Sequence, residues 1–244
     1  MSRVLIWDLP TRLLHWLFAA GFAIAAYIAL VIGDDGPLFP YHAIIGLVLT
    51  LMLVLRLVWG IFGSRYARFG SFAFSPKTVA RYLIETVTGA GKRYIGRNPG
   101  SAYATFAMFL IMLGIAITGV MLGRGNEGVE DLHETLVWSM IVVAGIHVLG
   151  LIWHTIRHRE NIAASMVHGR QSGPESAGIS TSHAFAAAVF VLIGAAWTTM
   201  LVARYDATTG STTIPVLGAL QLGEAEEGRG EHLDGDHRHD QDDD

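Results

Sequence analysis

Uninterrupted apolar runs alternate with short polar stretches along this chain, and the runs have the length that a bilayer's hydrocarbon core demands. A helix crossing that core needs about 20 predominantly apolar residues, and a charge inside such a run is costly. Five runs qualify, from about Leu13 to Ile32, Tyr41 to Phe62, Ala102 to Leu122, Leu132 to Ile156 and Ala184 to Ala203. The first, third and fifth carry no formal charge, the second is broken only by Arg56, and the fourth holds Glu134 near its start. The pattern predicts an all-α membrane protein.

The connections between runs predict its orientation. The stretch from Ser64 to Ser101 holds Arg65, Arg68, Lys77, Arg81, Lys92, Arg93 and Arg97 against the single acid Glu85. Arg3 and Arg12 precede the first run, and Arg157, Arg159 and Arg170 follow the fourth. The turns after the first and third runs hold Asp34 and Asp35, then Arg124 against Glu127, Glu130 and Asp131. Positive charge therefore alternates in phase with a cytoplasmic N-terminus, which leaves the C-terminal tail periplasmic in a bacterial inner membrane. Within the long basic stretch, Val79, Tyr82, Leu83 and Thr86 recur at helical spacing, so Pro76 to Val87 reads as a short interfacial helix.

Composition agrees. Of 244 residues, 52% are hydrophobic and only 16% charged, against about 25% charged in soluble domains; mean hydropathy is +0.42. There is no cysteine, which excludes disulfides, thiolate-ligated iron–sulfur clusters and covalent haem attachment. The first apolar run continues past a short signal-peptide core without an A-x-A site, so it reads as a retained helix. Membrane lipid is an expected partner and nucleic acid is not.

Histidine is rare inside membrane helices and usually functional there. His15, His42, His133 and His147 lie within or at the edge of runs one, two and four. His147 follows His133 by fourteen residues, a rise of about 21 Å that returns to nearly the same helix face. By depth, His42 then pairs with His133 at the outer side and His15 with His147 at the inner side. Two imidazoles from facing helices at equal depth make a bis-histidine haem site, and two such sites make an electron path through the membrane. The bland alternative is that each histidine hydrogen-bonds a neighbouring helix or a headgroup. Gly46 and Gly150, about one turn beyond His42 and His147, either leave room for a flat macrocycle or serve close helix packing. Arg56 shares the face of His42 at inner depth, where it either meets a haem propionate or snorkels to headgroups. His154, seven residues past His147, is a second candidate ligand for the inner haem or a neighbour of a quinone headgroup, with His158 beside it.

The string Arg12-Leu13-Leu14-His15-Trp16 resembles the opening of the nickel–iron hydrogenase cytochrome b subunits and their relatives, bacterial cytochrome b561 and the formate dehydrogenase gamma subunits. The run His133-Glu134-Thr135-Leu136-Val137-Trp138 with His147, His42 with Gly46, the string Arg56-Leu57-Val58-Trp59-Gly60, and Asn98-Pro99-Gly100 extend the resemblance over about residues 1–168. It implies a four-helix transmembrane haem-binding bundle with two non-covalent haem b groups ligated by His15, His42, His133 and His147. It also implies a link between quinone and a partner redox subunit, a hydrogenase or dehydrogenase, or a c-type cytochrome.

Domain boundaries follow: a four-helix domain over 1–168, a loop over 169–183, one additional C-terminal transmembrane helix over 184–203, and a disordered tail over 204–244. From Glu224 to Asp244 the tail holds ten acids and two arginines, whereas the rest of the chain is net positive. Its His232, His237 and His239 stand among acids, which also suits a divalent metal or the docking of a basic c-type cytochrome. Two other functions are open at this point. One is a self-sufficient quinone-linked oxidoreductase acting on a small diffusible substrate, and the other is a metal-ion carrier using the same histidines.

Overall fold

All five apolar runs are helical in the computed structural model of the chain, which describes residues 2–88, 94–158, 161–215 and 217–223. In chain order the helices are α1 (Leu9–Tyr27, prolonged by a π-helical turn at Ile28–Ile32), α2 (Phe39–Phe62), α3 (Pro76–Thr88), α4 (Pro99–Leu122), α5 (Glu130–His158), α6 (Ile162–His168) and α7 (Ala184–Arg204). Among the described residues, α1, α2, α4, α5 and α7 are long and apolar enough to cross a membrane. The expected interfacial helix is α3.

Local chemistry sets the helix ends. Asp8 caps α1 by accepting from the Thr11 amide at 2.8 Å, and Asn98 caps α4 by accepting from the Ser101 amide at 2.7 Å. Pro10, Pro40 and Pro99 occupy first turns, where a missing N–H costs nothing. The π turn of α1 ends at Gly33, whose φ of 91° turns the chain back toward α2.

Helix α1 packs on α2, α2 on α4 and α4 on α5, while α7 lies against α1 and α2. The α4–α5 approach depends on Gly114, since a Cβ there would lie 2.9 Å from the Leu136 side chain. Leu49, Leu53, Met112 and Met140 fill the interior between α2, α4 and α5. Leu14, Met52, Leu55 and Phe190 fill the side toward α7. Outward-facing Leu110, Leu149, Ile156, Phe185 and Leu192 are each more than 60% exposed, as a lipid-facing surface requires. Neither α1 nor α2 packs closely on α5, so a seam runs between the helices that carry the four histidines.

Two small sheets close the ends. At the basic end, β1 (Ser2–Leu5) pairs antiparallel with β2 (Arg170–Gly173), Ser2 opposite Gly173 and Leu5 opposite Arg170. At the opposite end, β3 (Ser211–Ile214) and β4 (Gly218–Gln221) form a hairpin. The loop expected over 169–183 therefore contains a strand, because the N-terminal segment supplies its partner. The disordered tail expected from 204 is corrected through Gly223. Ile214, Leu220 and Leu222 are 1–4% exposed and pack on Ile44, Leu47 and Leu201, which gives the hairpin an apolar face to bury. Hydrogen bonds from the Gln221 amide to the Gly123 carbonyl at 2.7 Å and from Arg124 Nη2 to the Leu217 carbonyl at 2.9 Å tie it to the end of α4. The acidic segment 224–244, with His232, His237 and His239, lies outside the described residues.

Candidate functional site

The hairpin end brings His42 and His133 together. Their ring centres lie 6.4 Å apart with planes at 77°. An imidazole nitrogen binds a first-row metal at about 2.0–2.1 Å, and its ring centre lies about 1.2 Å behind it, so two imidazoles on opposite sides of one metal have centres about 6.4 Å apart. The Nδ1 positions are already engaged. His42 Nδ1–H donates to the Ala25 carbonyl at 2.9 Å, just before α1 widens into its π turn. His133 Nδ1–H donates to Thr118 Oγ1 at 2.8 Å, and the Thr118 hydroxyl donates in turn to the Gly114 carbonyl at 2.8 Å. These bonds fix one tautomer on each ring and leave Nε2 without a proton, a tautomer of the kind that metal-ligating histidines use.

At the basic end, His15 and His147 lie within electrostatic reach of each other, and Arg97 within reach of both. The residues around His15 in the R-x-x-H-W string brace α1. Arg12 Nη1 donates to the Val167 carbonyl at 2.5 Å and Trp16 Nε1 to the Met166 carbonyl at 3.1 Å, so the start of α1 is fastened to α6. Trp59 Nε1 donates to Asp8 Oδ2 at 3.1 Å, fastening the same start to the end of α2.

A Cβ at Gly46 or Gly150 would meet nothing within 4 Å, so neither glycine serves a close helix approach. Arg56 does not snorkel. It is 3% exposed, donates from Nη2 to the Ala67 carbonyl at 3.0 Å, and lies 5.3 and 5.4 Å from the ring centres of Phe69 and Phe109. His154 and His147 line one cavity of about 200 Å³ together with Tyr82, Glu85, Asn98 and Gly100. Burial raises the Tyr82 phenol above its ordinary pKa. The His158 side chain lies outside the described residues.

Sequence reasoning passed over Thr118, Asp8 and Arg97. Thr118 is a polar residue deep in an apolar run, which was a usable signal. Arg97 was counted only as one of many loop cations, although it directly precedes the Asn98-Pro99-Gly100 string. It is held by a bond from Nη1 to Thr105 Oγ1 at 2.8 Å.

Two imidazoles facing each other between helices of a membrane bundle, each with its Nδ1 engaged, fit the class of membrane haem cytochromes. The chain belongs to the prokaryotic cytochrome b561 family, whose model matches residues 6–169. It is similar to a protein named probable Ni/Fe-hydrogenase B-type cytochrome subunit from Rhizobium leguminosarum bv. viciae, 24% identical over 215 residues, covering 70% of this chain and 89% of the relative. A protein of the same name from Rhodobacter capsulatus is 25% identical over 219 residues, covering 70% and 82%. The probable Ni/Fe-hydrogenase 1 B-type cytochrome subunit of Escherichia coli K12 is 23% identical over 211 residues, covering 68% and 90%. No solved structure matches the chain. The protein is thus a multi-pass membrane cytochrome b, an electron carrier that binds haem b.

Proposed function

We propose that the chain holds two haem b groups, one between His42 and His133 and one between His15 and His147, and carries electrons across the membrane between a quinone pool and a partner redox protein. The separation of the His42 and His133 rings, with both Nδ1 atoms bonded, carries the reading. Haem iron at each pair supplies a one-electron couple. The chain itself contributes ligation, fixed imidazole tautomers, room beside Gly46 and Gly150, and apolar walls that exclude water. His133 and His147 share one rigid helix, which sets the two sites about 21 Å apart along the bilayer normal.

The cavity beside His147 suits the ring of a quinone. It opens between α3, the start of α4 and α5, and His154, Glu85 and Tyr82 line it as groups able to exchange protons. Under this reading His154 serves the quinone and His147 ligates the iron. The alternation of basic and acidic connections supports a reading with the N-terminus and this cavity at the cytoplasmic face of a bacterial inner membrane and the hairpin and acidic tail on the periplasmic side. The names of the relatives favour a hydrogenase as partner; another dehydrogenase or a c-type cytochrome would use the same haems.

Single alanine replacements test the assignment. His42→Ala and His133→Ala lose one haem, His15→Ala and His147→Ala lose the other, and His154→Ala keeps both. The readouts are a pyridine haemochrome count and low-temperature reduced spectra of the purified chain. Retention of both haems in His147→Ala, with loss of one in His154→Ala, overturns the ligand assignment.

A further inference from the structure

Two buried guanidinium groups at the basic end are left short of partners. Among the described residues, Arg56 and Arg97 each donate one hydrogen bond to a neutral acceptor, the Ala67 carbonyl and Thr105 Oγ1. Arg56 Nη1 and Arg97 Nε are buried and have no partner among the described residues. Aromatic rings surround both: Phe69 and Phe109 beside Arg56, and Phe72 at 4.5 Å and Trp7 at 5.3 Å beside Arg97. Phe106 closes this box against Phe69 and Phe72, with ring centres 5.9 and 5.2 Å away. Cation–π contacts soften the loss of water but do not neutralise charge.

The local charges do not balance. Asp8 is 1% exposed and acts on both arginines, yet its oxygens bond the Thr11 amide and the Trp59 indole. Burial and the nearby charge of Arg56 push Arg97 down to about 9. Among the described residues, two cations against one carboxylate leave one positive charge uncompensated in a dry region, an arrangement that persists when an anion completes it. The arrangement has a direction, because Arg97 also lies within reach of His15 and His147. By contrast, among the described residues no arginine, lysine or carboxylate acts on His42 or His133.

We propose that Arg56 and Arg97 together receive a propionate of the haem held by His15 and His147, and so fix which edge of that haem faces the Phe69–Phe72–Phe106 box. This rests on the two-haem reading above. Propionate carboxylate and guanidinium suit each other in size and in donor–acceptor number. The same buried positive charge sets the two sites apart in potential: it favours the added electron at the inner haem, and the outer pair has no equivalent. Both arginines are positioning residues for the cofactor.

The test uses the full chain in Arg56→Gln, Arg97→Gln and Arg97→Lys forms, with haem content and a spectropotentiometric titration that resolves both haems. Each Gln variant is expected to lower the inner midpoint potential and to lose inner haem at least tenfold faster on detergent washing. The outer haem keeps both properties, and Arg97→Lys falls between. A second arm serves if the variants fail to accumulate. Wild-type chain made without haem and then supplied with haem dimethyl ester, which has no free carboxylates, fills the outer site only. Unchanged inner potential and retention in both Gln variants, or equal filling of both sites by the ester, overturns the proposal. So does loss of bound phospholipid phosphorus from the Gln variants with both haems unaffected, which makes the anion a lipid phosphate. A wild-type chain carrying fewer than two haems refutes the two-haem reading instead.

Discussion

Replacing Thr118 by valine removes one oxygen from an apolar helix and nearly nothing else in volume. Thr118 is 4% exposed, and its oxygen is the acceptor for His133 Nδ1–H. Without it that N–H is left buried and unpaired, at a cost of about 1–3 kcal/mol. At about 1.4 kcal/mol per tenfold, this weakens the outer haem site by roughly 5- to 150-fold, in line with the roughly 10- to 100-fold cost of losing a partner that orients a metal-bound histidine. The intrahelical bond from Thr118 to the Gly114 carbonyl is lost too, but that carbonyl remains inside a helix. The assay is haem retained per chain through repeated detergent exchange, with the two haems distinguished in low-temperature spectra. Thr118→Val sheds the outer haem and keeps the inner one, while Thr118→Ser, which restores the oxygen, behaves as the native chain. Equal loss in the valine and serine variants, or native retention in valine, would refute the reasoning.

Gly60→Ala drives a methyl into the Phe69 ring, where the closest carbon would sit at 2.2 Å. The resulting overpacking destabilises the basic end by about 1–3 kcal/mol and moves the ring beside Arg56, so thermal denaturation and the inner haem's reduced spectrum change together. Ile214→Ala removes a 1%-exposed anchor of the hairpin. It weakens hairpin docking by about 2–5 kcal/mol, read as faster proteolysis near 205–223 with haem content unchanged. Asp206 has its carboxyl held below the ordinary range by the Thr208 hydroxyl and amide. A lowered folded value means that its contribution is complete above the ordinary carboxylate range and disappears as pH falls through the lowered value. Asp206→Asn therefore removes part of the acid sensitivity of hairpin proteolysis.

The spans were legible because lipid allows few solutions: an apolar run of sufficient length in a bilayer becomes a helix, and its ends follow from Asp8, Asn98 and the prolines. The depth pairing of the histidines was legible because fourteen residues are nearly four whole turns, so His133 and His147 had to share a face. Their hydrogen-bond partners were not. The Ala25 carbonyl and Thr118 belong to helices other than the ones whose imidazoles they orient, and nothing local marks such a meeting. Arg97 was hidden by company, one cation among seven in a stretch that reads as a positive loop. The ribbon of β1 and β2 joins residues about 170 positions apart, and each four-residue strand is too short to announce itself. In the hairpin, alternating Thr212, Ile214, Leu220 and Leu222 carry a strand pattern, but the acidic segment that follows obscured it.

The clasp of β1 on β2 bears on the order of assembly. The amides of Ile6 and Trp7 bond the Gly169 carbonyl, the Leu9 amide bonds the Ser182 carbonyl, and the Ile179 amide bonds the Leu5 carbonyl. During synthesis the Gly169, Ile179 and Ser182 halves of these bonds do not exist until the fourth span has been threaded. The segment holding His15 thus enters the bilayer first, yet its clasp to α6 and β2 closes only after the fourth span. Until then the start of α1 rests on α2, through Asp8 and Trp59.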